Sequence, residues 1–369
     1  MKRKFLRWMK PLLPAVLLST MLQAQNKDAT KDLIFHDALE FPVIDKYHDE
    51  ANYNRLPAKF KATVRPEVWA LGLNSAGIAI RFRSNASNIA AKWKVKNTAN
   101  LNNMNATGVR GLDLYALVGE KWQYVNSGVP ENTANSQKML ISGGKPEYRE
   151  YLLFLPLYDG VDSLSIGINK DAEISKPATQ HLLNKKPIVY YGSSIAQGGC
   201  ASRPGLAYTN MLVRELQRPV INFGFSGNGM FEASVGEAMI EIDPALYVID
   251  CSPNTSPELI HERAVKLVQQ IRAKKPDVPV LLVENYIYEA AFFQPTIMDI
   301  ATKKQVELKK AYDELIESGV KHLYYKTGEN FIGTDHEGTV DGIHPSDLGM
   351  KAFAEHILPT LQKLTKGQP

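Results

Sequence analysis

Cysteine is nearly absent: Cys200 and Cys251 are the two in 369 residues. No C-x-x-C pair exists, so a zinc site built on paired thiolates is excluded. The chain has no H-E-x-x-H signature of zinc hydrolases, no G-x-x-x-x-G-K-[ST] phosphate loop and no G-x-G-x-x-G following a strand pattern. Metalloprotease, nucleotide and dinucleotide readings therefore have no residues to rest on, and neither metal nor cofactor is expected. An excess of one charge is missing too. The formal net charge is +4, but Lys2, Arg3, Lys4, Arg7 and Lys10 all lie in residues 1–24, which hold no acidic residue; without them it is −1. The basic balance thus belongs to the start of the chain and does not point to a nucleic-acid partner. The apolar run at the start, Pro11 to Leu22, falls well short of the ~20 residues of a spanning helix, and no membrane span is expected in the mature chain.

What the start does contain is ordered: a basic stretch, the apolar run, then small Ala24. That order predicts a secretory signal peptide over 1–24 and an exported protein, periplasmic or extracellular. Hydrophobic residues make up 44% and charged residues 22%, enough apolar surface for a sizeable core.

The rest has two grammars. Over 25–176 apolar residues alternate with polar ones. Ile78, Ile80 and Phe82 share a face, as do Ile89, Ala91, Trp93 and Val95; Tyr151 to Leu155 and Leu164 to Ile168 continue the theme. Period-two runs between Asn, Gly and Ser clusters predict an all-β sandwich. A polar linker is expected from about Glu173 to Lys186. Over 187–369 short apolar runs alternate with helical patterns. Strands are expected at Ile188–Tyr191, Val220–Phe223, Leu246–Ile249, Val278–Val283 and His322–Tyr325. Helices are expected at Leu206–Leu216, Pro257–Lys274, Thr302–Ser318 and Asp347–Leu364. This alternation predicts an α/β unit, a parallel sheet with helices on both faces.

In such sheets active sites gather at the carboxyl ends of strands. Four polar segments fall there: Gly192 to Gly199, Asn222 to Gly229, Asp250 to Asn254, and Asp341-Gly342-Ile343-His344-Pro345. These residue types suit acyl transfer. A serine hydroxyl needs a base, most often His, and the base needs a partner that fixes its tautomer. Glycine N–H groups and an Asn amide suit the developing oxyanion. Cys200 and Cys251 each follow a strand expected to neighbour the other, so they are either a disulfide near this edge or two buried thiols.

Tyr191-Gly192-Ser193-Ser194-Ile195, Asn222 to Gly229, Asn254 and Asp341-x-x-His344 together resemble the SGNH (GDSL-type) hydrolase superfamily, whose fold is flavodoxin-like. Gly111-Leu112-Asp113-Leu114-Tyr115 resembles the G-x-D-L-Y segment of the β domain that precedes the hydrolase domain in one bacterial subgroup. The resemblance implies that Ser194 is the nucleophile, His344 its base and Asp341 the residue orienting His344. The N–H groups of Ser194 and Gly227 and the side chain of Asn254 would form the oxyanion hole. It also implies an esterase acting on small-molecule or polysaccharide acyl esters, with acetyl esters of carbohydrates first. A lipid or aryl-ester hydrolase is the alternative enzyme, and an inactive carbohydrate-binding protein the alternative of another class. Two departures stand out. Ser193 replaces the usual Asp before the nucleophile, and Ser252-Pro253-Asn254-Thr255 replaces Gly-x-Asn-Asp.

Competitors exist. Ser193 adjoins the expected nucleophile. Gly224-Phe225-Ser226 begins like a nucleophile elbow but has Asn228 where the second glycine belongs. Asp335-His336 is a second acid–histidine pair. Trp69 and Trp93 are either sugar platforms or core.

Overall fold

The computed structural model describes residues 30–179 and 185–368; the signal peptide expected at 1–24 lies outside them. Ten antiparallel strands come first: β1 (Leu33–Asp37), β2 (Val43–Ile44), β3 (Ala79–Ser84), β4 (Ile89–Val95), β5 (Leu112–Val118), β6 (Lys121–Gly128), β7 (Asn135–Ile141), β8 (Arg149–Phe154), β9 (Val161–Asn169) and β10 (Ile174–Ser175). They form two sheets, ordered β1-β9-β4-β7 and β10-β3-β8-β5-β6, with β2 added on β3. The pleat sends alternate side chains to opposite faces. In β4, Ala91, Trp93 and Val95 go inward while Lys92 and Lys94 face water. Phe82, Trp93, Leu114, Leu153 and Ile166 fill the space between the sheets. Trp93 is 2% exposed and its indole N–H donates to Arg110 O at 3.0 Å, so it is core and not a sugar platform.

Five parallel strands follow: β11 (Ile188–Gly192), β12 (Val220–Gly224), β13 (Leu246–Asp250), β14 (Val280–Val283) and β15 (Leu323–Lys326), ordered β12-β11-β13-β14-β15. Every residue of β11, β12 and β13 is buried, as a sheet covered on both faces requires. Helices Tyr208–Leu216 and Asp347–Leu364 cover one face, where Tyr208, Leu212, Phe353 and Ile357 meet Tyr190 and Val248. Helices Ala233–Ile240, Pro257–Lys274 and Pro295–Glu317 cover the other. Two helices match their expected bounds. Pro295–Glu317 begins earlier than the expected Thr302, because Pro295 sits at the first helical position, where its missing N–H costs nothing.

The sequence pattern did not anticipate an arm in the β half. Between β2 and β3 the chain leaves the sandwich, forms a 3₁₀ turn (Ala58–Ala62) and a short helix (Pro66–Gly72), and lays Leu56, Phe60, Val64 and Val68 against Val189, Tyr191 and Phe223 of the parallel sheet. Trp69 packs partly buried on the same cluster. Asp45, at the arm's start, accepts the Val220 N–H at 2.8 Å.

A second junction uses the G-x-D-L-Y segment at the start of β5. The fully buried Asp113 carboxylate accepts Arg203 Nη1 at 2.6 Å, Gly205 N–H at 2.7 Å and Ser127 Oγ at 2.6 Å. Tyr115 OH accepts the same Arg203 nitrogen at 2.7 Å. Removing one partner of a buried ion pair strands the other. Asp113→Ala is therefore expected to lower stability by about 3 kcal/mol, read as a lower denaturation midpoint. An unchanged midpoint would show that this clamp does not hold the two halves together.

Candidate active site

Chain order in the parallel sheet reverses at β11, which lies between β12 and β13. That switch point opens a crevice beyond the strand ends, and Ser194 stands there. β11 ends at Gly192. Ser193 caps the next turn, its Oγ accepting Ile195 N–H at 3.3 Å, and Ser194 opens a four-residue helix to Gln197. The sharp turn leaves the Ser194 hydroxyl at the crevice.

Ser194 Oγ lies 3.0 Å from His344 Nε2, and His344 Nδ1 lies 2.8 Å from Asp341 Oδ2. A carboxylate only accepts, so Nδ1 carries the proton and Nε2 presents its lone pair to the Ser194 hydroxyl. Asp341 Oδ1 accepts the N–H groups of Ile343 at 3.1 Å and His344 at 2.8 Å, which closes its own turn. Its Oδ2 also accepts Asn103 Nδ2, from the β half, at 2.9 Å. Partial burial alone would raise the Asp341 pKa. The His344 N–H, Asn103 and the His344 ring overcome it and hold the carboxyl at about 2. Tyr286 OH steadies the same loop by donating to Ile343 O at 2.6 Å.

The loop after β12 packs onto the nucleophile turn. Phe225 N–H donates to Gly192 O at 2.9 Å. Asn222 links the two: its Nδ2 donates to Ala196 O at 2.7 Å and its Oδ1 accepts Gly224 N–H at 2.8 Å. Two arginines of the arm hold this loop from below. Arg55 donates to Gly224 O and to Asn222 O, and Arg65 donates to Asn228 Oδ1 at 3.0 Å. Asn254 Oδ1 accepts Gly229 N–H at 3.4 Å, which leaves its Nδ2 end for another acceptor. The N–H groups of Ser194 and Gly227 find no acceptor among the described residues.

The structure thus brings Ser194, His344 and Asp341 into one hydrogen-bonded line, and places Gly227 and Asn254 on loops joined to the Gly192–Ser194 turn. The competitors stand apart. Ser193 is fully buried. Ser226 is tied by its N–H to Gln197 Oε1 at 2.9 Å. His336 turns to Glu289 at 2.9 Å and sets its ring edge-on to Phe292.

The disulfide considered between Cys200 and Cys251 is not formed; both are buried free thiols. Cys251 Sγ contacts Tyr191 O at 3.7 Å, inside the sheet. Cys200 instead faces the Asp341–His344 pair, the ligand atoms of the three lying within 4.8 Å of one another. Burial, then the Asp341 charge, pushes the Cys200 thiol up to about 12, so it stays protonated at neutral pH. Asn103, Arg55 and Arg65 were not singled out by the sequence. They act across the two halves, and no local motif marks them.

Residues 185–362 match the GDSL-like lipase/acylhydrolase family, and residues 33–174 match the N-terminal GxDLY module of SGNH-hydrolase-type esterases. A GDSL-like lipase from Bacteroides ovatus is 38% identical, with a TM-score of 0.87 over 90% of this chain and 98% of that one. A salicylyl-acyltransferase from a tetracycline biosynthetic pathway has a TM-score of 0.72 at 14% identity, covering 91% of this chain and 99% of its own. A family two carbohydrate esterase from Cellvibrio japonicus has a TM-score of 0.56 at 12% identity, covering 90% and 98%. The last two share the fold. No curated protein matches the chain.

Two glycines of one loop are expected to differ when replaced. A Cβ at Gly229 would lie 1.9 Å from Gly192 O, so Gly229→Ala must push the loop off the nucleophile turn. A Cβ at Gly227 meets nothing within 4 Å, but its φ of +68° strains any side chain, by about 1 kcal/mol. Gly229→Ala should therefore lose esterase activity about a hundredfold, and Gly227→Ala far less, in parallel assays of purified variants. Equal losses would mean that the close approach at Gly229 does not set the site.

Proposed function

The chain belongs to the GDSL-like lipase/acylhydrolase family and is a carboxylic ester hydrolase, and we propose that it works through Ser194 and His344 by way of an acyl-enzyme. The observation that carries this reading is the line Ser194 Oγ–His344 Nε2 at 3.0 Å and His344 Nδ1–Asp341 Oδ2 at 2.8 Å. His344 Nε2 takes the Ser194 proton as Oγ bonds to the ester carbonyl carbon. The carbonyl oxygen becomes an oxyanion facing the N–H groups of Ser194 and Gly227 and the Asn254 amide. As the intermediate collapses, the ester C–O bond breaks and His344 returns the proton to the leaving alcohol. Water then attacks the acyl-enzyme with His344 again as base; the acid leaves and Ser194 recovers its proton. Asp341 remains a carboxylate and stabilises the transient imidazolium.

The substrate proposed is an acetylated carbohydrate. The pair is shallow: the His344 and Asp341 side chains keep 28% and 32% of their exposure, which suits the surface of a polymer better than a buried acyl tunnel. A cavity of about 590 Å³, whose walls include Glu284, Glu289, Phe292, Glu329, Asn330 and His336, lies beside the catalytic loop. Ala290 N–H, on its edge, donates to Gly342 O at 3.0 Å. Carboxylates and a ring are suited to sugar hydroxyls and pyranose faces. Solved proteins sharing this fold are named as family two carbohydrate esterases. We also infer export, from the basic and then apolar start of the chain. Among the described residues no helix is long and apolar enough to cross a membrane.

Ser194→Ala should reduce kcat on 4-nitrophenyl acetate by at least about a thousandfold, and Asn254→Ala by about a hundredfold. Wild-type rates in Ser194→Ala would remove the nucleophile assignment and leave a binding protein with an idle site. Acetate released from a panel of acetylated polysaccharides tests the substrate; a strong preference for long acyl chains would favour a lipid ester instead.

The pH profile gives an independent check. The base must be neutral, so kcat/KM falls as acid protonates His344. Asp341, held at about 2, keeps its charge through that fall. The acid limb should therefore drop with unit slope, as a single ionisation does. A slope of two would require a second group.

A further inference from the structure

The Asp341 carboxylate is held by both halves of the molecule. Its own turn satisfies Oδ1 through the Ile343 and His344 N–H groups. Oδ2, which accepts the His344 ring proton, has a second donor 238 residues away: Asn103 Nδ2 at 2.9 Å. Rotation about the Cβ–Cγ bond of Asp is soft; the turn N–H groups and the His344 ring define the carboxylate plane, and Asn103 adds a further donor to Oδ2 from the β half. The carboxylate accepts only, and that sets the NH₂ end of Asn103 toward it. We propose that Asn103 is a positioning residue for catalysis: it adds a donor to the carboxylate that orients His344, so the β half completes the catalytic apparatus. This rests on the reading of Ser194 and His344 given above.

Asn103 is itself firmly placed. Its turn is closed by the Leu101–Met104 bridge. The next residues form the helix Ala106–Arg110, capped by Asn105 Oδ1 on Gly108 N–H at 2.9 Å. Gly108 packs so closely on the 200–203 loop that a Cβ there would lie 2.3 Å from Ala201 O. The Asp113–Arg203 pair grips the same loop. The turn that carries Asn103 is thus referenced to the loop that carries Cys200, beside His344.

Without Asn103, Oδ2 would answer to His344 alone and bind the imidazolium more tightly. The neutral base would be lost at higher pH, so the acid limb of kcat/KM moves up. Other ionisable groups face this pair. The Cys200 thiol and Tyr286 phenol are both raised, chiefly by burial, and stay neutral through the assay range. Asp347 is engaged with Ser202 N–H, and Glu289 with His336 on the adjoining turn; the variants below leave all of these in place.

Asn103→Ala should lower kcat roughly 10- to 100-fold with KM within about twofold, and lose more rate near pH 6 than near pH 8. Asn103→Asp, nearly isosteric, should move the acid limb further the same way, since a second carboxylate favours the imidazolium. It also serves should the alanine variant misfold. Labelling of Ser194 by a fluorophosphonate should slow in step with kcat. Wild-type kcat, labelling rate and acid limb in folded Asn103→Ala or Asn103→Asp would overturn the proposal alone. Failure of the wild type to label at Ser194 would overturn the nucleophile assignment and this inference with it.

Discussion

A buried cation fixes the geometry on which the rest depends. Arg55 is 3% exposed and has no carboxylate partner among the described residues. Its guanidinium donates instead to carbonyl oxygens of both halves: Leu71 and Asn74 in the arm, Asn222 and Gly224 at the end of β12. Its plane also lies over the Phe225 ring at 5.0 Å. Burial lowers its pKa to about 9. Such a charge costs several kcal/mol to bury unless its donors are met, and the five-donor fork meets them only if the arm and the β12 loop keep their relative positions. The arm's apolar side chains supply adhesion; Arg55 supplies register.

That register reaches the site through short links. Arg55 holds Gly224, and Asn222 ties Gly224 to the nucleophile helix. Asn254 is joined to the same loop through Gly229. Two of the donors proposed for the oxyanion, the Ser194 and Gly227 N–H groups, are therefore set by backbone packing, and the third, the Asn254 amide, is tied to the same loop. Preorganisation of this kind is where much of an enzyme's electrostatic stabilisation resides. On the other side of Ser194 the arrangement is less rigid in its own half. The Asp341 loop is long and partly exposed; besides its own turn bonds it is steadied by Tyr286, by the Ala290 N–H on Gly342 O and by Asn103 from the β half.

Much of this was legible in the chain, for identifiable reasons. The parallel strands read correctly because they are short, mostly apolar runs that alternate with longer helical patterns. Pro257–Lys274 announces itself by a proline at its first position and Glu258 in its first turn. Ser194, Asp341 and His344 were singled out by resemblance to family motifs, Ser194 in the turn after β11 and Asp341-x-x-His344 just before the closing helix. What escaped shares one trait: it is non-local. The arm between β2 and β3 looks like an ordinary loop with scattered apolar residues, since the surface it covers lies more than a hundred residues later. Asn103 sits in the polar stretch Asn102-Asn103-Met104-Asn105, where nothing distinguishes it from its neighbours. Cys200 and Cys251 were placed on neighbouring segments, but sequence does not carry side-chain direction, and the two thiols look into different surroundings.

The arm has a consequence for how the chain is made. Its contacts are of very long range: Asp45 to Val220 spans 175 residues, and Arg55 to Gly224 spans 169. Synthesis proceeds from the N-terminus, so the sandwich is complete while the surface meant for Leu56, Phe60, Val64 and Val68 does not yet exist. Until β11 and β12 emerge, that greasy strip has no native partner, and loop closure over such distances is slow. An apolar strip left open in this way is the kind of surface through which partly folded chains aggregate, so the second half of the chain completes the first.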